Sequence, residues 1–367
     1  MRINTSSLSL LLSTCLLVSC STPQKDKGPE LVSLWAVDTS DGQQFGAKKH
    51  QQAAPMLVGD DIFQGSTDGK LVVVNKYTGL VKRTIKDSGS LDASPLFHES
   101  IVYFGNREGY VKAFSYRTGD YIWSYYTGHP VLSSPTFCDG RIFVLSSSNV
   151  FYSLDAKTGK VMWTIRKEFP SGVPVVKGGS SAVCYDDTVY VGFSDGSFVG
   201  ADITSGSIVL DKKLATVGKF RDVDATPYID EKRIIVPSYD GSLYSMDRKS
   251  GQTSWSIKDG SAKSIASIGE DVYYSSSDGY LYLLDVVDGS VKWRVKLSKG
   301  IPTAPAVMQN YVIVGSSERG IMIFNKADGK FIKELNSGTG VLADPVVDGN
   351  YIFFMSNYGV LYSVKVL

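Results

Sequence analysis

Short runs rich in β-branched and aromatic residues recur along the chain, as in Tyr280-Leu281-Tyr282-Leu283-Leu284 and Ile142-Phe143-Val144-Leu145. Turns containing Asp-Gly and Thr-Gly separate them, and no stretch carries a persuasive helical period. This is the pattern of short strands packed between sheets. The runs belong to one repeating unit: Ser-Pro, a short apolar strand, a turn, β-rich residues, Asp-Gly, a further strand, Thr-Gly, then Trp. The clearest copies are Ser94 to Ser124, Ser134 to Thr164 and Thr226 to Ser256.

The first turn position falls at Gly69, Gly109, Asn149, Gly196, Gly241, Gly279, Arg319 and Gly359, at intervals of 40, 40, 47, 45, 38, 40 and 40 residues. Eight units near 40 residues predict an all-β, eight-bladed propeller of four-stranded blades. The second turn glycine follows ten residues later, at Gly79, Gly119, Gly159, Gly206, Gly251, Gly289 and Gly329. The eighth unit has none, because it stops after its third strand. Leu31 to Asp38, which carries Trp35, is the expected fourth strand, so the two ends of the chain close the ring and remove an open sheet edge. Trp123, Trp163, Trp255 and Trp293 each stand four residues after a second glycine, and Trp35 fills the same slot. One indole per blade at a fixed place predicts packing between blades rather than stacking on a cofactor. Arg83, Leu210 and Lys333 take that slot elsewhere.

Composition narrows the chemistry. The 38 Lys and Arg offset 37 Asp and Glu, so no long-range basic field is available to gather nucleic acid. The three histidines, His50, His98 and His129, and the four cysteines are dispersed, with no CxxC or HxxxH spacing, so no zinc site or nucleophilic triad is specified. Arg2 and the apolar run Leu8 to Val18 fit an export signal and are too short to span a bilayer. The run ends in Leu17-Val18-Ser19-Cys20, which resembles a bacterial lipobox. The expected organisation is a signal peptide over 1–19, a tether over 20–30 lipidated at Cys20, and the propeller over 31–367. The alternative is an ordinary signal in which Cys20 is incidental. By resemblance to the enterobacterial sorting pattern, Ser21 favours the outer membrane. Cys138 and Cys184 lie on strands of successive repeats offset by one residue, which sends them to opposite faces. In an oxidising periplasm a bridge is the alternative, but the expectation is two buried thiols.

Departures from a repeat locate function better than the repeat itself. From the Trp slot to the next Pro slot the regular distance is 12 residues; the closing connection, Trp35 to Pro55, is long at 20, and within the ring Trp163 to Ala182 is 19 and Leu210 to Pro227 is 17. These two consecutive interblade loops should emerge side by side on one face. The first carries Val173, Val175, Val176, Lys177 and Gly178, and reads either as a partner contact or as a prolonged inner strand. The second carries Arg221-Asp222-Val223-Asp224. Carboxylates at i and i+2 of an extended chain could receive a partner's Arg or Lys, or they could cap turn N–H groups or pair with Arg221.

The run Ser153-Leu154-Asp155-Ala156-Lys157-Thr158-Gly159-Lys160-Val161-Met162-Trp163 resembles the PQQ-like (quinoprotein) propeller repeat. With the lipobox, eight blades and Arg221-Asp222-Val223-Asp224-Ala225-Thr226-Pro227, the chain resembles the BamB family, lipoprotein subunits of the outer-membrane β-barrel assembly machine, the BAM complex. The resemblance implies a non-enzymatic scaffold facing the periplasm, without a cofactor. It supports folding and insertion of outer-membrane proteins by binding a POTRA domain of BamA, and it offers edge strands or loops to unfolded clients. It also implies that Asp222 and Asp224 form one part of the POTRA contact. Pro174, Val176, Lys177 and Gly178 form the other. Pro174 stands where the family has Leu, and Lys177 where it has Arg, which removes the planar fork of a bidentate contact. The alternatives are an anchored propeller with another envelope partner and a PQQ- and calcium-dependent dehydrogenase. Against the latter, the chain lacks vicinal cysteines, and Glu108, Asp195 and Asp240 occupy ordinary turn slots of the repeat.

Overall fold

The computed structural model describes residues 28–40, 50–169, 179–215, 221–239, 242–258, 263–297 and 299–367. They form eight four-stranded antiparallel sheets and no helix. Blade 1 shows the pattern: Met56–Val58 innermost, then Asp61–Gly65 and Lys70–Asn75, with Val81–Lys86 outermost. The second and third strands are buried on both sides. The fourth exposes alternate residues, as the repeat predicts for blades stacked face to face. Eight apolar clusters form among the described residues, one at each junction between neighbouring blades. The cluster joining blades 2 and 3, for instance, sets Val111 and Ala113 against Ile142, Val144 and Leu154.

Closure follows the expected route. Leu31–Asp38 pairs antiparallel with the final strand, Val360–Val366, and completes blade 8 as its outer strand. Every blade carries a β-bulge one residue before the Trp slot. In blade 3, Ser153 faces Trp163 and Leu154 faces Val161, so Met162 is the extra residue. The same skip occurs at Leu34 in the closing strand. A bulge adds local twist and re-aims the side chain that follows. Here it coincides with each indole's position against the next blade.

All five indoles donate to a backbone carbonyl of that next blade: Trp35 to Lys76, Trp123 to Ala156, Trp163 to Ile203, Trp255 to Val286 and Trp293 to Lys326, at 2.9 to 3.2 Å. Each acceptor lies three residues before a second turn glycine, and the ring covers that glycine. A Cβ on Gly159, whose φ is +70°, would lie 2.6 Å from Trp123. The interblade reading of the tryptophans therefore holds in detail. Arg83 copies the arrangement without an indole, donating through Nη1 to Tyr116 O at 2.6 Å.

One expectation is overturned. Cys138 and Cys184 form a disulfide with Cα atoms 6.6 Å apart, joining the innermost strands of blades 3 and 4, Thr136–Cys138 and Val183–Tyr185. The offset of one residue does send the two side chains to opposite faces, but these strands belong to separate stacked sheets. Opposite faces of successive blades point at each other, so the offset that excludes pairing within a sheet permits it between sheets.

Candidate functional site

Strand direction places the interblade loops and the turns between second and third strands on one face of the ring. On that face the Ser-Pro slots form a girdle around the central channel. Ser94 N–H donates to Ser134 Oγ, Ser134 N–H to Ser181 Oγ, Thr226 N–H to Ser264 Oγ, and Ala304 N–H to Asp344 Oδ1, at 2.8 to 3.2 Å. Each link spans a junction between blades, so a side-chain oxygen, a hydroxyl in three links and the Asp344 carboxylate in the fourth, satisfies an N–H that a channel wall would otherwise leave open. At the girdle lies a cavity of about 430 Å³, lined in part by Asp92, Arg107, Asp224, Tyr239, Lys263 and Asp344.

The two long interblade loops meet at this mouth. Gly179, Ser181, Asp224, Ala225 and Thr226 all line it. Ser180 Oγ, at the end of the first loop, donates to Ala225 O of the second at 3.1 Å. Near the start of the first loop, Lys167 Nζ pairs with Asp211 Oδ2 of blade 4 at 2.7 Å. The described ends of the two long loops are thus neighbours, while residues 170–178 and 216–220 of those loops lie outside the described residues. Val176, Lys177 and Gly178, together with Pro174, lie outside those residues, as does Cys20.

Asp222 and Asp224 have different surroundings. Asp222 is fully buried, and its carbonyl accepts from Tyr239 N–H at 3.0 Å. Val223 is buried too and joins the apolar cluster between blades 4 and 5. Asp224 and Arg221 are half-buried, and Asp224 faces the cavity. Burial, with Asp224 and then Asp222 adding negative charge nearby, pushes the Tyr239 hydroxyl up to about 12. The phenol is therefore a neutral group beside two carboxylates at neutral pH. Asp224 thus contributes to the lining of the cavity, and Asp222 does not.

Sequence reasoning missed the other half of the mouth. Asp92 occupies the same place in its interblade loop as Asp224 does in the other, two residues before the Ser/Thr slot. It is buried and ion-paired to Arg107 Nε. Arg107 and Tyr239 are likewise equivalent, each two residues before the first turn position. The signal was available in the repeat: that slot otherwise holds Thr67, Ser147, Ser194, Ser277, Ser317 and Asn357, so Arg107 is the one cation among eight. Among the described residues, no group of three or more His, Cys, Asp or Glu side chains is placed to hold a metal ion.

A family model described as outer membrane protein assembly factor BamB matches residues 82–295 and 284–366. The chain is 23% identical over 284 residues to outer membrane protein assembly factor BamB of Yersinia pestis, covering 75% of this chain and 71% of that protein. Among solved structures, BamB from Moraxella catarrhalis superposes with a TM-score of 0.80 at 21% identity, covering 92% of this chain and all of that one. A europium-containing methanol dehydrogenase superposes with a TM-score of 0.77 at 11% identity, covering 91% of this chain and 93% of that one, a likeness of fold alone.

Proposed function

The chain belongs to the BamB family of outer membrane protein assembly factors, and on that premise we propose that it is a non-enzymatic scaffold whose channel-mouth face binds a POTRA domain of BamA within the BAM complex. Cys20 carries the lipid that holds it at the outer membrane, with the propeller in the periplasm. The contact comprises Val176, Lys177 and Gly178 from the first long loop and Arg221 and Asp224 from the second. Asp222 supports them from below. The observation that carries this reading is the hydrogen bond from Ser180 to Ala225, which ties together the feet of the two loops that break the repeat. Two long loops rooted at neighbouring blades can reach one partner, and their mixed apolar and charged sequence suits such a contact.

The test is a pull-down of the soluble body, with Cys20 replaced, against membrane extract. Wild type is expected to capture a POTRA-bearing barrel. Lys177→Glu and Asp224→Ala are expected to lose it while circular dichroism and melting stay unchanged. Equal capture by all three proteins would move the contact elsewhere on the propeller. Capture of a different envelope protein, with no barrel, would replace the POTRA reading.

A further inference from the structure

A second concavity on the same face lies between blades 2 and 3, beside the start of the first long loop. Its volume is about 540 Å³, within the range of roughly 300–1,000 Å³ typical of sites that enclose a small ligand. Pro130, Leu132 and Phe169 supply an apolar wall, and Arg107, His129 and Ser148 a polar end. Phe169 is 43% exposed, a large ring left facing water beside that polar end.

Two departures from the repeat converge here. Arg107 is the one cation at its turn position. Immediately before the first turn position the chain carries Asp68, Glu108, Asp195, Asp240, Asp278 and Glu318, but blade 3 has Ser148 and blade 8 has Tyr358. A cation has been added to one wall of the groove and a carboxylate removed from the other. The neighbouring acid, Glu108, is not part of the groove. Its Cγ lies 2.8 Å from where a Cβ on Gly89 would stand, in the loop between blades 1 and 2. Asp92, with a side chain only 3% exposed, holds Arg107 through Nε, while the Arg107 side chain remains 48% exposed. A buried acid gripping one edge of a guanidinium fixes its direction and leaves the outer edge for another acceptor.

We propose that this groove binds the carboxylate end of a polypeptide whose last residues are apolar. The anion meets Arg107, with His129 and Ser148 alongside, and the terminal side chains lie along Phe169, Leu132 and Pro130. A chain end fits better than an internal Asp or Glu, because it brings the anion directly beside an apolar side chain. An internal acid would lay backbone amides on both sides over an apolar wall that offers few partners. The groove adjoins the proposed POTRA contact, because Phe169 stands at the start of the first long loop and Arg107 and Leu132 also line the larger cavity, but Asp224 is not part of it, so peptide binding and barrel capture are read separately.

Fluorescence anisotropy of the soluble body with a labelled hexapeptide ending in Val-Leu and a free carboxyl tests this. Its C-terminal amide, and an amide with Glu placed internally, are the comparisons. The free acid is expected to bind at least about tenfold more tightly than either amide. Ser148→Asp restores the acid that most blades carry at that position, and it is expected to abolish the difference with melting unchanged. Arg107→Gln is expected to abolish the difference too, at some cost in melting temperature because buried Asp92 loses its cation, and serves as the second variant should Ser148→Asp fold poorly. Equal binding of acid and amide, or an unaltered preference in Arg107→Gln, would overturn the proposal. Displacement of the peptide by decanoate at equal concentration would overturn its assignment to a polypeptide and point to a lipid carboxylate.

Discussion

Replacing Trp123 and Gly159, singly and together, measures how one blade holds the next. Trp123 is 9% exposed, donates to Ala156 O at 2.9 Å, and covers Gly159. Truncating a buried Trp to Ala costs about 3–5 kcal/mol, of which the lost indole hydrogen bond is about 1. Gly159→Ala acts twice. Its φ of +70° imposes about 1–2 kcal/mol on any residue with a Cβ. The new methyl, 2.6 Å from the indole, adds roughly 1–3 kcal/mol of overpacking. In the Trp123→Ala background only the backbone cost should survive. Urea unfolding followed by circular dichroism on all four proteins should therefore give a coupling of about 1–3 kcal/mol, with Gly159→Ala milder when the indole is absent. If Gly159→Ala costs the same in both backgrounds to within about 0.5 kcal/mol, the ring does not rest on the glycine and the account of the blade junctions fails.

Further outcomes follow from the same structure. Alkylation of the unfolded, unreduced soluble body is expected to leave Cys138 and Cys184 unmodified. Reduction should then lower stability by up to about 4 kcal/mol, the loop-closure value for a bridge across 46 residues; free reaction of both thiols would contradict the disulfide. Deleting Leu31–Asp38 leaves Val360–Val366 as an open edge. Light scattering should show concentration-dependent association that the intact chain lacks. The Tyr239 hydroxyl keeps its proton to about pH 12 in the folded protein, whereas the unfolded chain releases it near 10. Its stabilising contribution is thus complete below pH 10 and is lost as pH rises from 10 to 12. Tyr239→Phe should flatten the fall in melting temperature over that window, and an unchanged slope would refute the assignment.

Much of the fold was legible because a propeller writes its contacts repeatedly around the ring. The Trp slot, the second glycine and the incomplete eighth unit are relations between copies, and spacing alone predicts both the junctions and the closure. The disulfide was misjudged because face alternation was applied within a sheet, while Cys138 and Cys184 sit on sheets that face each other. The site was legible only in part. Loop length located the two insertions, but the i, i+2 rule treated Asp222 and Asp224 as equals. Packing of Val223 between blades 4 and 5 accompanies burial of the first and leaves the second at the cavity. Arg107 stood out in the repeat, yet its relation to Asp92 crosses 15 residues and a blade junction that spacing does not display.

The most direct measurement of the central claim is site-specific photo-crosslinking in intact membranes. A photoreactive residue at Glu168, exposed at the start of the first long loop, is compared with one at Lys232, exposed in the turn on the opposite face of blade 5. Adducts with BamA from position 168 and none from position 232 are expected if the channel-mouth face binds the POTRA domain. Adducts from position 232 alone would place BamA on the other side of the ring and contradict the account.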